Sequence, residues 1–370
     1  MRTEKKKVVA GAAALVVLGY VLYRLRGALD LGDFSGGKLW IAVRSANPLY
    51  ILLGVALIYL CFALRALRWQ VFQKNLGKAE FWSTYRMTLA GFAALFVLGR
   101  AGEPVRPLLL SRKSKIPVAD VFGIWVLERL FDFGCMGVIA SAALFNLKVP
   151  GNSADTGSIV AHARMGGVLL AGGVAASFAF LVYLRIHGTA HLETRLKTWR
   201  VATGFKPKAA KIIFSVVRGI QTVQSFSDLL QAIAYSAVHW LLVLVVYYCV
   251  SQSFGGGMAA LGWGKCTVLL AITLIGSVFQ LPTVGGGAQA AAISVYTGIF
   301  GIEKEVATAA ALVLWLVTFA SCCIAGIPLL IHEGFSFGQL RKMAEREKEE
   351  LAEEAARGVV KQSREGDADH

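Results

Sequence analysis

The sequence has little charge, and several familiar catalytic motifs are missing from it. Asp, Glu, Lys and Arg make up 16% of its 370 residues, whereas about a quarter is usual in soluble domains. There is no P-loop or H-E-x-x-H motif, which argues against ATP-driven pumps and against common metalloproteases. The six cysteines form no C-x-x-C pair and no cluster with histidine. Disulfides, metals and cofactors are therefore not expected.

Apolar residues dominate instead, at 56% of the chain, and the mean hydropathy is +0.60. The charges gather in short stretches between long apolar runs, which is typical of membrane spans joined by polar loops. The net charge is +15, from 38 Lys and Arg against 23 Asp and Glu. Because most basic residues lie in short loops beside apolar runs, we expect them to set topology and contact anionic lipid, not nucleic acid.

The apolar runs predict an all-α integral membrane protein with about seven to eight transmembrane helices and one or two re-entrant or broken helices. An uncleaved signal anchor is predicted at 8–23, after a basic start that places the N-terminus in the cytoplasm. Further spans are predicted at residues 48–67, 118–145, 159–186, 228–250, 266–281 and 306–331. Residues 1–332 would form one membrane domain, and 333–370 a charged cytoplasmic tail, helical and then disordered.

Three further segments do not fit simple crossings. Residues 79–98 lie between two strongly basic loops, and a re-entrant helix would keep both loops on one side. Residues 288–302 follow a break at Pro282–Gly287 and are either re-entrant or a crossing; a cytoplasmic tail needs an even number of crossings, which favours the crossing. Apolar residues at helical spacing in 212–223 predict an amphipathic helix on the inner leaflet.

The first candidate site follows the re-entrant segment. Arg100, Glu103 and Arg106 lie in a loop where a glycine and two prolines disfavour a regular helix. Arginine binds phosphate or carboxylate in a planar, bidentate way. The loop is interpreted as a site for a lipid phosphate, with Glu103 either orienting the arginines or binding a cationic group. The alternative is an ordinary basic loop with an internal ion pair.

The second candidate site lies near the middle of the span that begins at residue 118. Glu128 and Asp132 are four residues apart and share a helix face, and Arg129 is adjacent in sequence. Charges at that depth usually pair and face a cavity. We interpret them as a polar cavity or a proton-coupled site; the alternative is a structural ion-pair network with Arg100 or Arg106.

The third candidate site is a broken helix rich in glycine. Backbone groups and half-helix ends at such a break can bind an ion or a head group; the alternative is a tight turn or a close-packed glycine patch. His239, within a later span, is interpreted as a packed residue. The substrate-binding residues predicted at the break are Gln280, Gly285, Gly286, Gly287 and Gln289.

Together these motifs resemble the lysylphosphatidylglycerol synthase transmembrane family, also called the flippase-like domain family. The resemblance covers nearly the whole chain and implies a bacterial-type inner-membrane protein that moves lipids between leaflets or assists their export. That family usually has a glutamate after its glycine motif, where this chain has Gln289. The motifs that carry the resemblance are Arg100-x-Gly-Glu103-x-x-Arg106, Glu128-Arg129-x-x-Asp132 and Pro282-x-x-Gly285-Gly286.

The function expected from residues and resemblance together is a lipid flippase or transporter for a phosphate-bearing, anionic lipid. No aminoacyl-transferase domain follows residue 331, so synthase activity is not expected. One alternative is a membrane enzyme that acts on lipid head groups, with Glu103 and Asp132 as acid and base. Another is a scaffold for lipid-synthesis enzymes, which the charged tail keeps open. Membrane lipids are the expected partners, lipid-synthesis enzymes are candidate protein partners, and the oligomeric state is left open.

Overall fold

The computed structural model describes residues 35–77, 80–146, 225–277, 280–281 and 285–333, with residues 165, 167–169, 171–176 and 179 between them. Several predictions lie outside the described residues. They are the anchor at 8–23, most of the span at 159–186, the amphipathic segment at 212–223, and the tail after residue 333.

The described chain is almost entirely helical. Its first half contains α1 (Gly36–Ser45), α2 (Pro48–Gln73), α3 (Phe81–Leu98), a 3₁₀ turn (Gly99–Gly102), α4 (Val105–Ser114) and α5 (Val118–Asn146). Its second half contains α6 (Phe226–Ser253), α7 (Gly256–Ala259), α8 (Trp263–Gly276), β1 (Gln280–Leu281), β2 (Gly285–Gly286), α9 (Gly287–Ser294), a π turn (Val295–Ile299), α10 (Lys304–Trp315), a second π turn (Leu316–Ala320) and α11 (Cys322–His332).

Four helical segments in the described part are long and apolar enough to cross a membrane: α2, α3, α6 and the continuous stretch Lys304–His332. Large apolar side chains such as Leu52, Leu241 and Ile324 are exposed on these helices, as expected of a lipid-facing surface. The chain is therefore a multi-pass membrane protein. The described residues do not confirm the predicted count of seven to eight crossings.

Helix α2 extends to Gln73, beyond the predicted end of its span at residue 67. Its start is set by Asn47, whose side chain accepts a hydrogen bond from Leu49 N at 3.0 Å, and by a proline in the first turn. Its last turns stay inside the protein, because Trp69 and Phe72 are fully buried in an apolar cluster with α3, α4 and α5. Arg65, near the predicted end of the span, and Arg68, just beyond it, both lie in the interior.

Helices α3 and α4 form a hairpin, here called the first hairpin (81–114). The chain reverses at Gly99, whose φ of +65° favours glycine. The two arms touch at Gly91, where a Cβ atom would overlap the Cβ of Arg106. The hairpin also ends where it began, since a Cβ at Gly77 would lie 3.5 Å from Ile116 Cγ1. Residues 81–98 are thus a single helix, and the returning arm is α4 (Val105–Ser114), where the sequence predicted a loop without regular helix. The prolines permit this helix because they lie just before it and in its first turn.

A second hairpin (263–299) is formed by α8, the β1–β2 ladder, α9 and the π turn. In the ladder Gln280 pairs with Gly286 and Leu281 with Gly285. Helix α8 ends at Gly276, earlier than the predicted 281, because the chain turns into this ladder. Its 14 residues span about 21 Å at the helical rise, short of a hydrocarbon core of about 30 Å. Residues 288–302 continue the chain as α9 and the π turn, which form the returning arm of this hairpin.

The two hairpins occupy equivalent places in an internal repeat. Each half consists of a long helix, a hairpin and a second long helix. In the first half these are α2, the first hairpin and α5. In the second half they are α6, the second hairpin and α10–α11. The packing shows the same correspondence. Helix α2 packs on α6, its equivalent, and the contact of α3 with α11 matches the contact of α8 with α5. Asn47 N donates to Ser253 O at 2.7 Å and Lys74 pairs with Asp228 at 3.1 Å, so α2 and α6 are antiparallel. The halves thus have inverted topology, as in many transporters.

Candidate functional site

A cluster of buried charges lies where α2, α4 and α5 meet. Arg65 and Arg68 share a face of α2 because they are three residues apart. Glu128 and Asp132 are four residues apart and share a face of α5, and the two faces are in contact. Helix α5 also contributes Arg129, and the first hairpin contributes Arg106 from the start of α4. The cluster consists of Arg65, Arg68, Arg106, Glu128, Arg129 and Asp132.

Glu128 is fully buried and is held by three arginines. Arg106 Nη1 donates to its Oε2 at 2.8 Å and to its Oε1 at 3.1 Å. Arg68 Nη2 donates to Oε1 at 2.8 Å, and Arg65 Nη1 to the same oxygen at 3.1 Å. Arg106 thus pairs with a residue of the next helix, and the predicted network between Glu128 and Arg106 is present.

Asp132 completes the cluster one turn further along α5. It accepts from Arg65 Nη1 at 3.0 Å and from Arg68 Nη2 at 3.0 Å, and Arg129 Nη2 lies 3.2 Å from it. Arg68 also donates to Ser236 Oγ of α6 at 2.7 Å. Protonation of either carboxylate would break several of these ion pairs. We therefore interpret both acids as groups that organise the arginines, in preference to proton carriers.

Positive charge exceeds negative charge in the cluster, with four guanidinium groups against two carboxylates. Glu103, half-buried at the tip of the first hairpin, attracts Arg129 and offsets part of the excess. Counting Glu103, one positive charge is still unmatched among the described residues. A buried uncompensated charge is costly, so the arrangement favours an anionic ligand.

Aromatic rings support two of the arginines from the side. The guanidinium carbon of Arg106 lies 4.6 Å from the centre of the Trp69 ring, and that of Arg65 lies 5.3 Å from the Phe92 ring. Stacking on aromatic rings holds a guanidinium group in place without using its N–H donors. Arg106 Nε and Nη2 accordingly have no hydrogen-bond partner within the described part of the chain.

A cavity of about 260 Å³ lies beside the cluster, between α2, α6, the second hairpin and α10. Arg65 belongs to both the cluster and the cavity wall. On another side the wall is formed by Ala288 and Gln289, directly after the glycine motif. The cavity therefore joins the second and third motifs of the sequence. Its polar lining includes Arg65, His239, Trp240, Thr273, Gln289 and Trp315, and the rest is mainly apolar.

The glycine motif forms the tip of the second hairpin. Gly286 has a φ of +127°, a conformation that side chains rarely adopt. Its N–H donates to Gln289 Oε1 at 2.6 Å, which ties the tip to the first turn of α9. β1 also contacts the turn Gly99–Gly102 of the first hairpin. The two hairpins thus meet tip to tip next to the cavity.

The match to a family model covers residues 8–326 and is described as the lysylphosphatidylglycerol synthase TM region. That match includes all three motifs and both hairpins. The chain belongs to this family. Within 345 aligned residues it is 23% identical to a UPF0104 membrane protein of Methanothermobacter thermautotrophicus, with 88% of this chain and 97% of the relative covered. The resemblance stated from the motifs is therefore confirmed.

The sequence-predicted site residues of this family member divide into two groups. The structure gathers Arg106, Glu128, Arg129 and Asp132 into the charged cluster, and it places Gln289 in the cavity wall. The others lie at the hairpin tips: Arg100 in the 3₁₀ turn, Glu103 just after it, and Gln280, Gly285, Gly286 and Gly287 in the ladder and the first residue of α9. The side chains of Arg100 and Gln280 lie outside the described part, and so do residues 282–284.

Sequence reasoning missed two central residues, Arg65 and Arg68. Basic residues near the end of an apolar run normally report topology, but both of these are buried and bind Glu128 and Asp132. Their spacing of three residues, followed by Trp69 and further apolar residues, was the available signal. His239, interpreted only as a packed residue, also lines the cavity.

Proposed function

We propose that this protein moves a phosphate-bearing lipid between the two leaflets, with the head group passing through the cavity beside the charged cluster. The single observation that carries the proposal is the position of Arg65. It belongs to a cluster with excess positive charge and also lines a cavity that Ala288 and Gln289, directly after the glycine motif, border on another side. A phosphate in the cavity would supply the negative charge that the cluster leaves unmatched.

Three features support transport over simple binding. The halves of the described chain have inverted topology, and transporter sites commonly lie between such repeats, beside discontinuous helices. The largely apolar lining suits a lipid and lets acyl chains remain near the bilayer. The family description names the membrane region of a lipid synthase, which makes lipid the expected substrate. In this proposal the membrane is the cell's inner membrane. The bias of basic residues places the N-terminus and the C-terminus on its cytoplasmic side.

The test is lipid scrambling in proteoliposomes. Vesicles would carry acyl-labelled fluorescent phosphatidylglycerol, and a membrane-impermeant quencher would report the fraction of label reachable from outside. We expect the protein to accelerate exchange between leaflets. Arg65→Gln should slow that exchange at least tenfold, because it removes the one positive group described in both cluster and cavity. Arg86→Gln removes an exposed arginine of α3 and should leave the rate within twofold of the unchanged protein.

A second variant keeps the test independent of the ion pairs. Ala288→Leu would fill part of the cavity without touching a charge, and it should slow exchange as well. Equal rates for the unchanged protein, both site variants and protein-free vesicles would refute the proposal. Lipids extracted after the assay would show whether head groups had been altered, which would favour the enzyme alternative. Intact lipids, no exchange and co-purifying synthesis enzymes would favour the scaffold.

A further inference from the structure

In the described interior, most of the polar side-chain atoms that lack a hydrogen-bond partner are donors. Within the described residues, ten buried side-chain nitrogen and oxygen atoms have no hydrogen-bond partner. Eight of them are nitrogens that can only donate, in arginine, tryptophan and the amide of Gln73. Gln73 Oε1 is the one obligate acceptor among them, and His239 Nδ1 can act either way. Unsatisfied buried donors are costly, so a fitting ligand would be rich in acceptors.

These atoms lie in two neighbouring places. Arg68 Nε, Arg106 Nε and Nη2, and Arg129 Nε belong to the cluster. The ring nitrogens of His239, Trp240 and Trp315 belong to residues that line the cavity, and Arg65 of the cluster lines it too. A cavity wall with these groups suits a ligand with several oxygen atoms, such as a phosphate with its neighbouring ester or hydroxyl oxygens.

Acceptors for an ammonium group are scarce in the same place. The described cavity wall contains no carboxylate, and the sequence has no acidic residue between Cys266 and Ile302. The nearest carboxylates are Glu128, which forms ion pairs with four arginines, and Asp132, which forms ion pairs with three. An ammonium group has three donors and no acceptor. Inside this wall it would be desolvated without a counter-charge and repelled by Arg65.

We infer that the cavity selects lipids whose head groups are acidic and oxygen-rich, and that it rejects head groups with an ammonium group. The inference rests on the proposed function and narrows its substrate class. Phosphatidylglycerol and phosphatidic acid fit the donors, whereas phosphatidylethanolamine and aminoacylated phosphatidylglycerol bring a positive charge that nothing in the described wall accepts.

Gln289 offers a way to reverse the selectivity. Its Oε1 accepts from Gly286 N, and a glutamate of the same shape would keep that bond. Gln289→Glu would therefore add a carboxylate to the cavity wall with little change in shape. The matched control is Gln231→Glu, which adds the same charge on the exposed face of α6.

The experiment has a binding arm and a transport arm. In the binding arm, delipidated protein in detergent would receive an equimolar mixture of phosphatidylglycerol, phosphatidic acid, phosphatidylethanolamine and lysylphosphatidylglycerol, and native mass spectrometry would count the lipids retained. We expect the acidic lipids to be retained at least tenfold over the ammonium lipids. Gln289→Glu should reduce that ratio at least fivefold, and Gln231→Glu should leave it unchanged. This pair of variants distinguishes selection by the cavity from attraction of acidic lipids to the basic surface. The transport arm repeats the scrambling assay with each lipid labelled on an acyl chain.

The outcomes separate the two claims. Equal or preferred binding and transport of lysylphosphatidylglycerol would overturn the selectivity and leave lipid transport standing. Selective binding with no transport of any lipid would refute the proposed function and keep the head-group selectivity as a binding property. A sample with inorganic phosphate alone tests the source of the anion. Displacement of bound lipid by millimolar phosphate would assign the site to a soluble anion and overturn a lipid ligand.

Discussion

The two hairpins follow the same chain path but are held by different chemistry. The first hairpin is anchored by Arg106, which binds Glu128 of α5 with two hydrogen bonds and stacks on Trp69. The second hairpin has no charged residue between Cys266 and Ile302. Its tip is held by the two-residue ladder and by the bond from Gly286 N to Gln289. The first hairpin thus contributes to the buried charged cluster, and the second contributes the glycine motif.

This difference suggests a division of labour around the cavity. Buried ion pairs require a fixed geometry, because a displaced partner leaves a charge unpaired. Backbone contacts between glycines can shift with a smaller loss. We expect the first hairpin to act as a fixed wall and the second as the wall that moves. Amide hydrogen exchange measured by mass spectrometry should then be faster at residues 280–289 than at 99–106; equal protection would contradict the division.

The largest effect is expected from removing the charge that anchors the first hairpin. Glu128→Gln would leave Arg106 without its carboxylate and weaken the binding of Arg65 and Arg68. Breaking a buried ion pair from one side costs about 3–5 kcal/mol. Unfolding in mixed micelles, followed by tryptophan fluorescence, would measure the free energy of unfolding.

The control for this change is Glu80→Gln, at the exposed start of α3, which should change stability by less than about 0.5 kcal/mol. A double variant, Glu128→Gln with Arg106→Gln, removes both partners and should recover part of the loss. If Glu128→Gln were as stable as Glu80→Gln, the cluster would not anchor the first hairpin.

The next effect compares how closely the arms of each hairpin approach. A Cβ at Gly91 would overlap Arg106, and one at Gly276 would overlap the carbonyl of Gly287. Gly91→Ala and Gly276→Ala should each destabilise the protein by about 1–3 kcal/mol through overpacking. Gly298→Ala, where no atom lies within 4 Å, is the matched control and should be neutral. Neutral Gly91→Ala together with costly Gly298→Ala would contradict the close approach.

A smaller effect is expected at the glycine tip itself. Gly286 has a φ of +127°, so Gly286→Ala should cost about 1–2 kcal/mol in backbone strain. Gly262→Ala, which has a negative φ and open space around it, serves as the control. Thermal melting in detergent would compare the two variants. Because the tip borders the cavity, Gly286→Ala should also slow lipid exchange more than its loss of stability predicts.

The smallest effect is expected from the hydrogen bond that closes the tip. Gln289→Ala removes the acceptor of Gly286 N, which should cost about 1 kcal/mol. Gln289→Glu keeps an acceptor at that position and should be close to the unchanged protein in stability. Gln231→Ala, on the exposed face of α6, gives the baseline. A Gln289→Glu variant as unstable as Gln289→Ala would show that this hydrogen bond does not hold the tip.

Much of the site was visible as separate pieces in the sequence. A charged side chain inside an apolar run is energetically costly. This identified Glu128, Arg129 and Asp132 as candidate site residues without any structure. Glycines and a proline between apolar runs marked the break at 282–287. The functions of Arg65 and Arg68 were not visible, because a basic residue near the end of a span normally reports topology. Only its burial distinguishes an internal arginine from one at the membrane edge.

The sequence by itself determined that this is a helical membrane protein. Its apolar runs are long enough to cross a bilayer, and within lipid a helix satisfies the backbone hydrogen bonds of such a run. It also marked Glu128, Arg129 and Asp132 as charges inside an apolar run. The tertiary structure alone decided that four arginines share two carboxylates, and that the hairpin tips meet beside one cavity. These contacts join residues far apart in the chain and depend on the antiparallel packing of α2 on α6. Such packing follows from the fit of whole surfaces, which no local sequence pattern specifies.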